Sequence, residues 1–295
     1  MLNKKIDFVV YFTVENANPN GDPLSGNMPR QDNELKGLVS DVCLKRKIRN
    51  RMQDEGHNIF VQANERIEDG FKSLEARFED KFNKEDDNDS VYKTMCNDYL
   101  DVRSFGQVIT FGQVMISGNK KAQKRSIGIR GPVSITMAKS INPVNVSSMQ
   151  ITRSTNGMKA EEGKQKSSDT MGMKHYVDFG LYCFSGSINP FFAEKTGFSE
   201  DDANVLKEIL QSLFVNDASS ARPDGSMEIV KVYWVEHPSK LGLLSSAKIR
   251  SLFSARLKDE NLSGENIEDY SIEENLEEIE KLKNAGATIE IFEGQ

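Results

Sequence analysis

At 295 residues and 37% hydrophobic, the chain is long enough to bury the core of one large domain or two modest ones. Its formal net charge of −7, taken whole, argues against a nucleic-acid ligand. Cys43, Cys96 and Cys183 are scattered with no C-x-x-C among them, which excludes a zinc knuckle or redox motif and suits a reduced, cytoplasmic protein; no apolar stretch is long enough to span a bilayer, so no membrane contact is expected.

The charge is segregated along the chain. Residues 113–175 hold 11 Lys/Arg against 3 Asp/Glu (+8), residues 54–101 hold 6 against 14 (−8), and residues 257–295 hold 3 against 12 (−9). A basic middle between acidic flanks suggests one polyanion-facing surface, the plainer alternative being that the segments pair with one another.

In chain order, Ile6, Phe8, Val10, Phe12 and Val14 alternate, which predicts a strand over Ile6 to Glu15. The Asn-, Pro- and Gly-rich run from Asn16 to Arg30 must be a loop. A helix is expected from Leu38 to Met52, with Leu38, Val42, Lys45, Arg49 and Met52 on one face. The acidic run Asn83 to Asp89 reads as a loop and Ser90 to Val102 as a further helix. Val133 to Met137 alternates like a strand. Val144 to His175 has few large aliphatics and no clear period, so a long basic loop is expected, either functional or disordered. The strand signal returns at Tyr176 to Ile188. Ser199 and Asp202 resemble a capping box ahead of the stripe Val205, Leu206, Ile209, Leu210 and Leu213. Met227 to Val235 is another strand, Ser271 and Glu274 suggest a cap before Leu276, Ile279 and Leu282, and Ala287 to Phe292 reads as a last strand. Without the insertions this is the β-α-β-β-α-β order of the ferredoxin-like, RNA-recognition fold, an α+β class.

The first loop can present backbone N–H groups and amides to a phosphate or base edge, or be an ordinary rigid turn. The helix after it carries five cations between Lys45 and Arg51. Lys45, Arg46 and Arg49 form a ridge suited to a sugar-phosphate backbone, or a packed helix end with snorkelling stems. Around Arg130 and along Arg153 to His175 lie further lysines and arginines, with Met158, Met171 and Met173 as adaptable side chains. Catalytic patterns are poor: no Walker loop, G-x-S-x-G or H-E-x-x-H occurs, and His57, His175 and His237 have no metal-ligand spacing. No cofactor or metal is expected. Asp22, Asp32 and Asp41 could cluster around a divalent ion, though turn and helix-start roles suit them better.

N-P-N-G-D-P at 18–23 and G-L-V-S-D-V-C-L-K-R-K-I-R at 37–49 together resemble the N-terminal signature of the type I-C CRISPR Cascade backbone subunits. D-V-R-S-F-G at 101–106, R-G-P-V at 130–133, T-M-G-M-K-H at 170–175, F-G-L-Y at 179–182, T-G-F-S at 196–199 and D-A-S-S-A-R at 217–222 also resemble that family, in order, from about residue 6 to 240. The resemblance implies a single modified RNA-recognition palm over 1–295, with a finger insertion at 55–100 and the 144–175 loop as a thumb; the acidic extension at 257–295 matches nothing in it. It implies a ribonucleoprotein of antiviral defence, in which copies form a helical filament on the CRISPR guide RNA (crRNA). Each thumb kinks the guide and leaves the intervening bases free to pair with target DNA. The other partners implied are guide-end-capping, large and small Cascade subunits. Carried over residue by residue, Asn18, Asn20, Arg30, Lys45, Arg46, Arg49, Arg103, Phe105, Arg130, Arg153, Lys174 and His175 are the expected RNA contacts. The role implied is not enzymatic; a metal-dependent ribonuclease acting through Asp22 or Asp32 is the rival.

Overall fold

The computed structural model describes residues 1–115, 122–152 and 171–294. Its main sheet is antiparallel and built from eight strands: β1 (Ile6–Ala17), β2 (Lys36–Val39), β3 (Val133–Ile135), β4 (Ala138–Pro143), β5 (Val146–Thr152), β6 (Met171–Ile188), β7 (Met227–Glu236) and β8 (Thr288–Glu293). The strand order is β8-β7-β1-β6-β4-β2, with β3 and β5 also paired to β6. β1 therefore lies in the middle, bonded to β6 on one side and β7 on the other.

The expected alternation of β1 holds, but both of its faces are buried. Phe8, Val10, Phe12 and Val14 point into one cluster with Tyr182, Phe184, Val232 and Trp234, whereas Val9 and Tyr11 join Leu181, Tyr233 and Val235 in a second. Helix α1 (Asp41–Asp54) closes the first face through Leu44, Ile48 and Met52. After helices α2 (Leu74–Lys81), α3 (Asn88–Asp98), α4 (Leu100–Phe105) and α5 (Pro190–Thr196), helix α6 (Glu200–Gln211) closes the same face through Leu206, Ile209 and Leu210. The Ser199/Asp202 capping box forms as expected, with Ser199 Oγ accepting from Asp202 N at 3.1 Å and Asp202 accepting from Ser199 N at 2.8 Å.

Four local expectations need correction. The first helix starts at Asp41, not Leu38, because Leu38 is held in β2 and Ser40 caps the helix by accepting from Cys43 N. Its expected face also dissolves, since Val42 is 69% exposed while Met52 is fully buried; the inward stripe is Leu44, Lys47, Ile48 and Met52, at true helical spacing. Ser90 to Val102 is not one helix but parts of α3 and α4, broken at Tyr99, whose backbone is extended. The C-terminal helix, α8 (Leu276–Asn284), is capped by Asn275, because Ser271 and Glu274 belong to a strand. The fourth concerns the 144–175 segment. Val146–Thr152 and Met171–Val177 form an antiparallel ribbon, from Val146 opposite Val177 to Thr152 opposite Met171; residues 153–170 lie outside the described ones. A ribbon with solvent on both sides needs no apolar alternation, which is why its pattern is illegible.

Residues 246–287 cover the second face. Helix α7 (Ser246–Arg250), the hairpin Phe253–Leu257/Tyr270–Glu274 and α8 supply Ile249, Phe253, Tyr270, Ile279 and Leu282 to the second cluster. Phe253 stacks on Tyr233 with 4.0 Å between ring centroids, and Tyr11 donates its hydroxyl to Phe253 O at 2.8 Å. The acidic tail is thus a layer of the fold, with its charges outward. A third cluster, Phe60, Phe78, Val91, Met95, Val102, Ile109, Ile127 and Ile129, gives residues 60 to 129 a core of their own. Its hairpin, Gly106–Ile109/Ile127–Arg130, opens at Gly106 with φ +81°, where a side chain would collide with Ile129 O. Among the described residues, no helix is long and apolar enough to cross a membrane.

Asp7, at the start of β1, sits in the interior with His237. His237 Nδ1 accepts from Leu243 N at 3.0 Å, so the ring proton is on Nε2 and is donated to Asp7 at 2.8 Å. Burial alone would raise the Asp7 carboxyl, but hydrogen bonds from His237, Ser246 and Lys5 outweigh it and hold the group below its usual range. A carboxyl with a lowered folded value contributes stability above its unfolded value of 3.8, which is lost as pH falls through the folded one. Asp7→Asn is therefore expected to flatten the acid limb of a stability-versus-pH curve below about pH 4. Trp234→Ala, which empties the first face beside Phe8, should cost about 3–5 kcal/mol in urea denaturation.

Candidate nucleic-acid interface

The first loop folds back on itself and locks onto α1. Asp22 accepts from Leu24 N at 3.1 Å, and Gly26 adopts the left-handed conformation that reverses the chain. Asn18 is 3% exposed; its amide donates to Asn27 O at 2.7 Å and its backbone N–H to Ala221 O at 2.9 Å. Asn20 Oδ1 accepts from Ser40 N at 2.9 Å, fixing the loop to the α1 cap. These two asparagines hold the loop in shape. Arg30 is the loop's outward cation, its side chain 38% exposed and 3.4 Å from Asp22. It lines a cleft with Met28, Pro29, Leu38, Ser40 and Met137.

The helical cations are engaged inside the chain. Lys45 pairs with Asp41 at 3.0 Å. Arg46 donates to Val61 O at 2.8 Å, and its guanidinium is pushed below its usual value by burial and then by Arg49. Arg49 donates to Asp101 at 3.1 Å and lies 5.0 Å from the Phe105 ring centroid. Asp101 is fully buried and also accepts from Phe60 N and Val61 N at 2.9 and 3.0 Å. Arg103 grips Asp202 with two bonds of 2.9 Å and donates to Cys96 O and Asn97 O. Three expected contacts, Arg46, Arg49 and Arg103, thus bind the 60–129 unit to α1 and α6, and Phe105 packs beneath Arg49.

Arg130 is exposed on a different element, 4.1 Å from the Phe192 ring centroid. Lys174 and His175 are on the ribbon, opposite Met149 and Ser148, so they point to opposite faces. His175 Nδ1 is 2.7 Å from Ser148 Oγ. Arg153 lies outside the described residues. The ribbon's base meets the stretch that joins the first loop to β2: Gln31 Nε2 donates to Val144 O at 2.8 Å and Val144 N donates to Leu35 O at 3.0 Å. The structure therefore brings the first loop, the α1 cap and the ribbon base together.

Asp22, Asp32 and Asp41 do not converge. Asp32 accepts from Glu34 N and Lys36 N at 2.9 Å each and pairs with Lys139, whose hydrogen bond lowers the Asp32 carboxyl. Among the described residues, no group of three His, Cys, Asp or Glu side chains is placed to hold a metal.

Sequence reasoning missed a buried charge cluster behind the loop. Lys47, its side chain 3% exposed, pairs with Asp217, which also accepts from Arg222 Nε at 3.2 Å. Lys47 lies 5.5 Å from the Phe214 ring centroid. Burial pushes the Lys47 ammonium below its usual value, and Asp217 opposes that shift. Lys47 and Asp217 are 170 residues apart, so no local period reveals them; the signal available was the D-A-S-S-A-R motif.

Asp217→Ala leaves the Lys47 charge buried and should cost about 3–5 kcal/mol. Lys47→Met leaves Asp217 with Arg222 and should cost roughly 1 kcal/mol. Because a buried lysine with a lowered folded value gains stability as pH rises toward its unfolded one, the Asp217→Ala deficit should shrink between neutral pH and about pH 10. Urea denaturation across that range checks both statements.

The family model for CRISPR-associated protein Cas7 matches residues 4–275. A Haloferax volcanii protein described as CRISPR-associated protein Cas7 is 25% identical over 225 residues, covering 72% of this chain and 65% of that protein. The matched stretch is thus just under two thirds of that relative's length. A chain of a solved CRISPR RNA-guided surveillance complex superposes with a TM-score of 0.50 at 14% identity, covering 99% of this chain and 89% of its own. A chain of a CRISPR RNA-guided surveillance complex, pre-nicking, gives 0.46 at 16% identity, over 78% and 75%. At these identities the structural likeness is one of fold, a mixed α/β chain with a main antiparallel sheet.

Proposed function

We propose, from the premise that this chain belongs to the CRISPR-associated Cas7 family, that it is the crRNA-binding backbone subunit of a type I-C surveillance complex. Copies line up along one guide, hold it by phosphates and shape, and leave its bases to pair with target DNA. End-capping, large and small subunits complete the particle. The observation that carries this reading is the β5/β6 ribbon, which leaves the main sheet beside the first loop with Met149, Met171 and Met173 facing solvent and Lys174 among them. Such a projection suits the thumb of a hand-shaped protein. The order β7-β1-β6-β4, with α1 and α6 on one face, suits a β-α-β-β-α-β palm. The unit at 55–100 and beyond suits the fingers.

The second face of the sheet, where an ordinary RNA-recognition module stacks bases on aromatics, is covered by residues 246–287. That supports a grip by loops and thumb. The ribonuclease rival is not favoured, since Asp22, Asp32 and Asp41 are engaged separately.

Guide binding should weaken linearly in log–log salt titrations. Arg30→Ala with Lys174→Ala should weaken it equally for guides of unrelated sequence, and flatten the slope by about 0.7 for each phosphate no longer neutralised. Fluorescence anisotropy with two guides at several salt concentrations measures this. Salt-independent binding, or weakening confined to one guide, would sink the reading. Magnesium-dependent cleavage of paired RNA, abolished by Asp32→Asn, would establish the rival.

A further inference from the structure

The D-A-S-S-A-R loop has no role in the interface as expected from sequence, yet it is built against it. Ala221 O holds the Asn18 backbone N–H at 2.9 Å, so the loop and the first motif are directly bonded. Within it, Arg222 N donates to Ser219 O at 3.1 Å and Ser219 Oγ at 3.2 Å, fixing the residue in a tight bridge. Its guanidinium is anchored at one corner only: Nε donates to Asp217, which is itself pinned by buried Lys47. The side chain remains 28% exposed, and no ion pair other than Asp217 engages it among the described residues. Arg30, in the first motif, is held differently, through one terminal nitrogen 3.4 Å from Asp22, and its side chain is 38% exposed. Arg30 N donates to Asn20 O at 3.3 Å, so the segments that carry the two arginines are both bonded to the same short stretch of the first motif, Asn18 to Asn20.

We infer that Arg222 is a phosphate ligand, set beside Arg30 so that the two guanidiniums clamp one stretch of a ribonucleotide backbone. A guanidinium held through Nε keeps its terminal N–H donors in a fixed plane, the geometry that oxyanions accept in pairs. Asp217 is then a positioning residue: it aims the fork and reaches no phosphate itself. Lys47 sets Asp217. This assignment rests on the RNA-binding reading above and names a residue that neither the composition nor the basic clusters pick out.

The test is salt-dependent binding of single-stranded guide RNA to the full chain, with thermal unfolding measured alongside. Arg222→Gln should weaken binding about tenfold and flatten the log–log salt slope by about 0.7, with the melting temperature little changed. Arg222→Lys keeps the charge but not the fork, and should restore the slope while recovering only part of the affinity. Arg256→Gln, on the second-face hairpin where it pairs with Glu273, is the control and should leave slope and affinity alone. A wild-type slope in Arg222→Gln, with wild-type protein binding normally, overturns this assignment alone. Absence of salt-dependent binding in the wild type overturns the RNA-binding reading and this one with it. If Arg222→Gln proves unstable, Arg222→Lys decides: an unrestored slope in that folded variant also overturns the clamp.

Discussion

One strand, β6, serves two environments along a single backbone. From Val177 to Ile188 it pairs with β1 and is covered on both faces; from Met171 to Val177 its partner is β5. The inner half fixes register, because a one-residue slip would carry Tyr182 and Phe184 to the face that Leu181 occupies. The outer half inherits that register and direction. A ribbon continuous with a fully buried strand has a defined exit from the core, and its base is fixed again through Val144 to the stretch that joins the first loop to β2. A flexible tether of the same composition would have neither.

Positive charge in this protein falls into two kinds with different chemistry. Arg46, Arg49 and Arg103 are internal fasteners whose donors reach backbone carbonyls and the carboxylates of Asp101 and Asp202. Removing a partner there leaves a buried charge, so their main contribution is to architecture. Arg30 and Arg222 are each restrained by a single carboxylate and keep an outward edge. Most of the acidic residues of 257–295 belong to the layer over the second sheet face, whereas Glu290, on β8, pairs with Lys207 of α6 on the first at 2.7 Å.

The layer over the second face also explains the aromatic content there. Tyr11, Tyr233 and Phe253 stack and hydrogen-bond with one another under α7 and the hairpin. In a bare four-stranded module such rings would be candidates for base stacking. Here they are core, and that face of the sheet has no bare ring on which a base could stack.

What the sequence by itself determined is what local periodicity and capping chemistry encode. The alternation from Ile6 to Val14, the Ser199/Asp202 box, the strands at Val133, Met227 and Ala287, and the family motifs around Asn18 and Lys45 were all readable. The first helix was readable in existence but not in its start, since Leu38 is claimed by a strand partner distant in sequence. The 144–175 segment looked structureless because a ribbon exposed on both sides has no reason to alternate. Tertiary structure decided which cations face outward. Arg49 and Arg30 are chemically alike, and what draws Arg49 inward is a buried carboxylate elsewhere in the chain, Asp101, 52 residues away, whereas Arg30 pairs with Asp22 of its own loop and stays more exposed. Ion pairs form wherever folding brings opposite charges together, and they leave no period in the sequence to read.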